Sequence, residues 1–308
     1  MIAFWKKPKK SYERAIDWFK NNTVENDGAI IVHTKTPEAY AEVTGYYIPT
    51  LYTWGETEYA RSFTRWLLSV QLDSGAFPAP DGVPYSFDTG QIMRGLCAAL
   101  NDVDGVKESL VKACDWMLTQ IEPNGRMTTP STELWDDIAS DLIHTYALPP
   151  LFEAGKLLDR PDYIEAAQRS LDYYKQQAEL VPFNRLSHFH AYAMEALCEL
   201  GEWDLARKGM DDVAKVQRAD GSVPAYPDVD WVCSTGLAQY AIIWFHLGEK
   251  ERANKAINYL EKIQNKSGGF NGSYGKGAKY IAGAEISWAV KYFLDAYHLK
   301  MQDEKADA

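Results

Sequence analysis

The sequence predicts an all-α fold, an (α/α)6 toroid of six helical hairpins whose ring is closed by the N-terminal helix. Three observations lead to this prediction: a glycine turn recurs every 47 to 50 residues, amphipathic segments fill the intervals, and the segments add up to twelve helices. The 308 residues, 46% of them hydrophobic, can bury one large core. We therefore expect a single domain over residues 1–300 and a frayed tail at residues 301–308.

Glycine turns mark the repeat. They stand at Gly28, Gly75, Gly125, Gly221 and Gly268, and the intervals are 47, 50, 96 and 47 residues, of which the third covers two units. Five helical segments end in a glutamine, and all but the third of these have a glycine in the following turn: Gln71, Gln120, Gln177, Gln217 and Gln264. A unit of this length fits one helical hairpin.

Each hairpin has an outer and an inner helix. The outer helices carry charged residues on one face; they are predicted at Ser11 to Asn22, Thr57 to Leu72, Val106 to Ile121, Asp162 to Gln177, Trp203 to Gln217 and Glu251 to Gln264. The inner helices can be aligned on Leu51, Leu96, Leu151, Leu197, Trp244 and Phe293. One short apolar run, Ala29 to His33, is the strongest strand signal.

The alignment predicts which residues face the lumen. Five residues before the alignment positions stands a set without an aliphatic member: Tyr46, Gln91, Tyr146, Tyr192, Gln239 and Trp288. Further polar groups gather toward the N-terminal ends of these helices, where backbone N–H groups and the helix dipole also point. We expect that end to be the mouth of a pocket, with Pro49 and Pro149-Pro150 interrupting their helices beyond it.

A His-x-Tyr doublet occurs twice at the same register, as His144 with Tyr146 and His190 with Tyr192. One hypothesis makes these residues an acid/base set. Two residues apart on a helix is about 200°, so both members of a doublet cannot face the lumen unless the first lies in the opening turn. The alternative is that the histidines hydrogen-bond neighbouring hairpins.

Carboxylates provide a second candidate set. Asp88 and Glu285 share a register, and Glu42 falls one position out of it. Crowded carboxylates in a partly dry pocket raise at least one pKa, which produces a general acid. Asp88 could instead cap its helix. A solvated or turn-forming role is expected for most of the four loop aspartates, Asp136, Asp137, Asp228 and Asp230.

Composition and motifs exclude several functions. A net charge of −11 argues against sequence-independent binding to nucleic acid or to anionic membranes. No stretch approaches the roughly 18 to 20 apolar residues of a membrane span, and residues 1–14 lack signal-peptide features, so a cytoplasmic location is expected. His188 and His190 have poor spacing for zinc, and Gly272 to Gly277 is no phosphate loop, so neither a metal nor a cofactor is predicted. The oligomeric state stays open.

The hairpins resemble the repeats of terpenoid cyclases and protein prenyltransferases. Two examples are Trp66-Leu-Leu-Ser-Val-Gln71 leading into Gly75-Ala-Phe77 and Tyr259-Leu-Glu-Lys-Ile-Gln264 leading into Gly269-Phe270. The cyclase acid motif is incomplete, because its last Asp is absent from Asp228-Val-Asp230-Trp231. The resemblance therefore implies the fold more than that chemistry.

The same toroid resembles carbohydrate-active families, namely glucuronate C5-epimerase C-terminal domains, polysaccharide lyases and unsaturated glucuronyl hydrolases. These sites mix His, Tyr, acidic and aromatic residues, as here. The resemblance implies an oligosaccharide or polysaccharide substrate, with Tyr46, Tyr146, Tyr192 and Trp288 as sugar platforms. Further substrate-binding candidates are Gln91, His188, Trp231 and Gln239. Arg94, Arg185 and Lys291 are nominated to neutralise a uronate.

The leading hypothesis is lyase or C5-epimerase chemistry on a uronate-containing glycan of bacterial polysaccharide metabolism. In it, His144, His190, Tyr146 or Tyr192 takes the proton next to the uronate carboxyl. One alternative is a glycoside hydrolase that uses Asp88 and Glu285. The others are a terpenoid-cyclase-like toroid and a non-catalytic glycan-binding toroid.

Overall fold

The computed structural model describes residues 9–24, 28–131 and 141–306. Twelve α-helices lie in these residues and alternate between an outer and an inner ring, as the repeat predicts. The outer helices are α1 (Ser11–Asn21), α3 (Thr57–Val70), α5 (Val106–Thr119), α7 (Pro161–Lys175), α9 (Trp203–Val216) and α11 (Lys250–Ile263). The inner helices are α2 (Ala41–Thr53), α4 (Ser86–Ala99), α6 (Leu148–Leu157), α8 (Ser187–Glu199), α10 (Ser234–His246) and α12 (Ser287–Ala306). The all-α toroid prediction is confirmed.

Burial separates the two rings. An outer helix buries one face: α9 buries Ala206, Gly209, Met210 and Val213, which recur every three or four residues. An inner helix is buried on almost every side, and all eleven residues from Ser234 to Trp244 in α10 are buried. The inner ring is therefore the core of the molecule, and its lumen is the place to look for a site.

The Gln-Gly turns join neighbouring outer helices. Gln71 Nε2 donates to the carbonyl of Gly75 at 2.8 Å and to that of Ser109, in α5, at 3.0 Å. Gly75 has φ +96°, and a Cβ there would lie 2.3 Å from the carbonyl oxygen of Lys112. Glycine is required because it alone tolerates both this backbone conformation and the close approach.

The last repeat makes the same contacts with the first helix and so closes the ring. Gln264 Nε2 donates to the carbonyls of Gly268 and Ser11, each at 2.9 Å. A Cβ at Gly268, which has φ +96°, would lie 2.0 Å from the carbonyl oxygen of Arg14. The N-terminal helix therefore takes the place of a next outer helix.

Short strands lie between helices. β1 (Thr23–Val24), β2 (Ala29–His33) and β3 (Thr36–Ala39) form an antiparallel sheet between α1 and α2, in the order β1-β2-β3. β4 (Val232–Cys233) pairs antiparallel with β5 (Ser273–Tyr274). β2 is the predicted apolar run, and these strands brace the loops at the N-terminal ends of the inner helices.

Two details differ from the prediction. The tail expected from residue 301 is helical, because α12 continues to Ala306, and Asp303 forms an ion pair with Lys250. The prolines were also expected to interrupt their helices, but Pro49 lies inside α2, which continues past it to Thr53. A 3-10 segment, Ile143–Ala147, precedes α6, and Pro149-Pro150 follow it in the first turn of α6, where the missing N–H is tolerated.

Candidate active site

The predicted lumen residues form a closed layer across the ring. Five of the six predicted residues belong to this layer. The exception is Trp288, which stands one helical turn nearer the N-terminal end of α12, and Tyr292 takes its place in the layer. We call Tyr46, Gln91, Tyr146, Tyr192, Gln239 and Tyr292 the tyrosine layer; each is at most 3% exposed.

Ring contacts fill this layer. The centroids of Tyr146 and Tyr192 are 4.7 Å apart, and those of Tyr46 and Tyr292 are 6.0 Å apart. The hydroxyls of Tyr146 and Tyr292 are hydrogen-bonded at 3.1 Å. Because these rings pack on one another, Tyr46, Tyr146 and Tyr192 expose almost no surface, and their role as sugar platforms stays a prediction. Burial also raises their pKa values, which makes them poor bases.

Two carboxylates lie on the N-terminal side of this layer. Glu42 and Asp88 stand in the first turns of α2 and α4, and their exposed fractions are 6% and 1%. Asp88 does not cap its helix; its Oδ2 accepts a hydrogen bond of 2.7 Å from Tyr40 Oη. Its Oδ1 is buried and has no hydrogen-bond partner among residues 9–24, 28–131 and 141–306.

Burial dominates the electrostatics of this pair. It raises the pKa of Asp88 to about 7, although the hydrogen bond from Tyr40 acts to lower it. Burial raises the pKa of Glu42 well above its ordinary value; the charge of Asp88 raises it further, whereas Lys291 lowers it. A first-turn position favours an anion by at most about 2 kcal/mol, so desolvation outweighs the helix dipole here. The pair therefore retains a proton near neutral pH.

Aromatic and polar residues stand in the first turns of the inner helices and in the loops before them. Phe87 packs on Tyr192 with centroids 5.0 Å apart, and His188 lies 6.0 Å from the ring of Tyr280. Trp288, 9% exposed, occupies in α12 the place that His188 occupies in α8. Predicted Trp231 packs against Tyr226, with centroids 5.8 Å apart.

His188 is held by a hydrogen-bond chain that crosses the tyrosine layer. Its Nδ1 lies 2.6 Å from Gln239 Oε1, and Gln239 Nε2 donates to Glu195 Oε2 at 3.2 Å. Since an amide oxygen only accepts, we assign the imidazole proton to Nδ1, which leaves Nε2 as an acceptor. Burial lowers the pKa of His188 to about 4, so the ring is neutral at pH 7.

The two predicted acid/base histidines form no hydrogen bond with Glu42 or Asp88 in the described part of the chain. His190 Nε2 donates to the carbonyl of Val181 at 3.0 Å, and its Nδ1 pairs with Tyr240 Oη at 2.9 Å. His144 is buried, and its pKa, about 4, is lowered by burial and then by Arg126. The 200° argument explains the position of His190, because Tyr192 faces the lumen while His190 contacts Val181 and Tyr240. His144 and Tyr146 lie in the 3-10 segment, to which the α-helical angle does not apply.

Glu285 is also elsewhere. It accepts hydrogen bonds from Trp18 Nε1 at 2.6 Å and from Asn265 Nδ2 at 2.8 Å, and it contacts Ser267 Oγ. It therefore ties α1 to the turn before α12. In the alignment of the six inner helices with one another, Glu42 falls one position out of register with Asp88. The structure nevertheless places Glu42 close enough to Asp88 for the charge of Asp88 to raise its pKa.

Of the three nominated cations, Lys291 is the one whose charge acts on the carboxylate pair, since it lowers the pKa of Glu42. Arg185 donates to the carbonyls of Glu179 and Leu180, at 2.6 and 2.7 Å, and holds that loop. Arg94 lies over the ring of Tyr146, 4.0 Å from its centroid, and Lys291 lies 3.8 Å from that of Tyr292; both line a cavity beyond the tyrosine layer.

Within the described ranges, no three His, Cys, Asp or Glu side chains cluster so that they could hold a metal ion. In the same part of the chain, no helix is both long and apolar enough to cross a membrane. Asp136 and Asp137 lie outside the described residues.

Sequence reasoning missed Tyr40, Glu195 and Tyr292, and it gave Glu42 too little weight. The sequence contained a signal for two of these four residues, Glu42 and Tyr292. The inner helices α2, α8 and α12 carry Glu42, His188 and Trp288 as their second residues and Tyr46, Tyr192 and Tyr292 four residues later. Alignment on helix starts would have found this spacing, whereas alignment on apolar anchors placed the last helix one turn too early.

Solved structures similar to this chain are toroids that act on carbohydrates. An unsaturated glucuronyl hydrolase specific for heparin has a TM-score of 0.76 at 12% identity, over 96% of this chain and 97% of that one. An α-amylase from Clostridium perfringens has a TM-score of 0.72 at 16% identity, over 95% and 99%. A polysaccharide lyase has a TM-score of 0.65 at 13% identity, over 96% and 99%.

The chain has the (α/α)6 toroid fold of these enzymes. The structural neighbours carry out hydrolysis as well as elimination, so the fold does not select one reaction. No protein-family model matches the sequence, and no curated protein is similar to it. The chemistry has to be argued from the residues of the lumen.

Proposed function

We propose that this protein is a carbohydrate-active hydrolase whose active site is the N-terminal mouth of the inner ring. The observation that carries the proposal is the buried pair Glu42 and Asp88, with the pKa of Asp88 near 7. One carboxyl group of the pair would protonate the departing oxygen of a glycosidic bond, and the other would activate water or stabilise the positive charge on the sugar. Of the two Asp88 oxygens, Oδ1 is the better proton donor, since it has no hydrogen-bond partner among the described residues, whereas Oδ2 accepts a hydrogen bond from Tyr40.

The surroundings of the pair support a sugar substrate. Trp288, Phe87 and Tyr280 supply apolar faces, and the unprotonated Nε2 of His188 can accept a hydrogen bond from a sugar hydroxyl. A pocket with few but well-oriented polar groups between aromatic walls is typical of small-ligand sites. The similarity in fold to a glucuronyl hydrolase and an α-amylase agrees with this class of reaction.

Two observations weigh against the uronate lyase or epimerase hypothesis. His190 is hydrogen-bonded to Val181 and Tyr240, and of the three nominated cations Arg185 is held by loop carbonyls and Arg94 by Glu199. A site with two carboxylates repels a uronate, so we propose an oligosaccharide or polysaccharide that presents an uncharged residue to the site. A cytoplasmic location stays a prediction.

The proposal is tested by a screen of oligosaccharides with product mass as the readout, in water enriched in ¹⁸O. Hydrolysis adds one labelled oxygen to a product, elimination adds none, and epimerisation leaves the mass unchanged. Glu42→Gln and Asp88→Asn are expected to lower kcat by at least about a hundredfold. Glu285→Gln is the matched control, because this carboxylate lies outside the mouth, and it should retain activity per folded molecule.

An unlabelled, unsaturated product would show that the reaction is elimination and not hydrolysis. Full activity in both Glu42→Gln and Asp88→Asn would remove the pair from the mechanism. Sugar binding without turnover of any substrate in the screen would favour the non-catalytic alternative.

A further inference from the structure

A second concave region lies at the opposite end of the toroid. A cavity of about 540 Å³ opens between the C-terminal halves of the inner helices, and a smaller cavity of about 270 Å³ adjoins it. The two share Pro49 and Glu195. The larger volume falls within the range of about 300 to 1,000 Å³ typical of small-molecule sites.

The tyrosine layer separates this region from the proposed active site. Tyr46 and Tyr146 line the larger cavity from above, and both are 1% exposed. The two ends of the lumen are therefore distinct compartments. A ligand at one end cannot reach the carboxylate pair at the other without displacing packed rings.

The charged groups of the larger cavity largely compensate one another. Arg94 forms an ion pair of 2.6 Å with Glu199, and Lys291 forms one of 2.9 Å with Asp295. The third lining cation, Lys156, lies over the ring of Phe152 at 4.5 Å. Since Arg94 and Lys291 already have carboxylate partners, the cavity offers an anion little net attraction.

Glu195 is the buried group at the centre of this region. It is 7% exposed, and its Oε2 accepts a hydrogen bond from Gln239. The amide proton satisfies only part of the hydrogen-bonding capacity of a carboxyl group, which has about four acceptor positions. Donor groups of Arg94 and Lys291 and acceptor groups of Glu195 and Glu199 thus line one cavity, together with the apolar surfaces of its prolines.

We propose that this cavity is a second binding site, which takes an uncharged polyhydroxylated ligand the size of a monosaccharide or disaccharide. Such a ligand carries donors and acceptors on every side and no net charge, and its C–H faces can pack on Pro49, Pro149 and Pro150. The proposal concerns a different compartment from the hydrolase site and does not depend on the reaction there.

The experiment uses the full chain with the Asp88→Asn substitution, so that a sugar is not consumed. Uncharged mono- and disaccharides, and glucuronate as the charged comparison, are titrated by calorimetry and by saturation-transfer NMR. Ala98→Trp is the blocking variant, because Ala98 is exposed and lines the cavity. Trp288→Ala is its counterpart at the other end.

We expect an uncharged sugar to bind, with Kd raised at least tenfold by Ala98→Trp and changed less than twofold by Trp288→Ala. Glu195→Gln keeps the shape of the cavity and should also weaken binding severalfold. The proposal is overturned if no uncharged sugar binds at millimolar concentration, if glucuronate binds in preference, or if only Trp288→Ala weakens binding. Circular dichroism of each variant shows whether the chain is folded.

Discussion

Asp88→Asn is expected to stabilise the protein above neutral pH while it abolishes activity. Burial raises the pKa of Asp88 from its ordinary 3.8 to about 7. Because the folded-state value is the higher one, the folded chain holds the proton between about pH 4 and pH 7, and its stability falls as pH rises through that window. At about 1.4 kcal/mol per pH unit, ionisation of this buried group costs about 4 kcal/mol above pH 7.

The asparagine variant avoids this cost. Its side-chain carbonyl can still accept the hydrogen bond from Tyr40, whereas its NH₂ group gains no acceptor and loses about 1 to 2 kcal/mol. The net effect is a stabilisation of about 2 to 3 kcal/mol near pH 8. At about pH 4, where aspartate is already protonated, the variant should be neutral or slightly destabilised. Removing the charge also lowers the pKa of Glu42, which adds to the stabilisation at high pH.

Urea unfolding of both proteins at about pH 4.5 and about pH 8 measures the difference. Asp228→Asn, at an exposed loop position, controls for the loss of one surface charge. A stability change that is the same at both pH values would refute the reasoning. So would a variant that is less stable than the parent at pH 8, since Asp88 would then be a stabilising anion.

Three further predictions follow from the geometry. Glu42→Gln should remove the coupling within the pair, so the pH dependence of any residual kcat is expected to show one acidic group where the parent shows two; an unchanged profile would argue against the pair. Gly268→Ala should lower the free energy of unfolding, measured in urea, by about 2 to 4 kcal/mol, because the new Cβ meets the backbone of α1. Gly277→Ala, also at positive φ but in open space, is the control and should lower it by about 1 kcal/mol. Equal losses in the two variants would contradict the ring-closure contact. Gln239→Leu removes the acceptor that fixes the His188 tautomer, so ¹⁵N NMR of the ring should show that the Nδ1–H form no longer predominates. An unchanged Nδ1–H form would show that Gln239 has no such role.

The sequence predicted the layer but not what it does. Tyr46, Tyr146 and Tyr192 could be assigned to the lumen because a helical period fixes which residues share a face. Whether those rings line an open pocket or pack on one another depends on how far apart six helices stand. Their close approach, with Gly45 against α4 and Gly90 against the 3-10 segment before α6, makes the layer a packed partition.

The catalytic candidates show the same division. Asp88 was identified from its position at a helix start, and the structure adds a partner on α2 that lies 46 residues earlier in the chain. Glu285, which shared its register, is drawn outward by Trp18 and Asn265. Register along a helix specifies direction around the axis, but it does not specify which groups on other helices will compete for a carboxylate.

Chain periodicity alone determined the number of helices, their order, the inner and outer rings and the closure by the N-terminal helix. These features follow from local backbone preferences and from the repeated Gln-Gly turn, each of which is written within one unit of the chain. The pairing of Glu42 with Asp88, the chain from His188 to Glu195 and the two compartments of the lumen were decided only in the assembled ring. They depend on distances and desolvation between side chains from different repeats, and no single repeat contains that information.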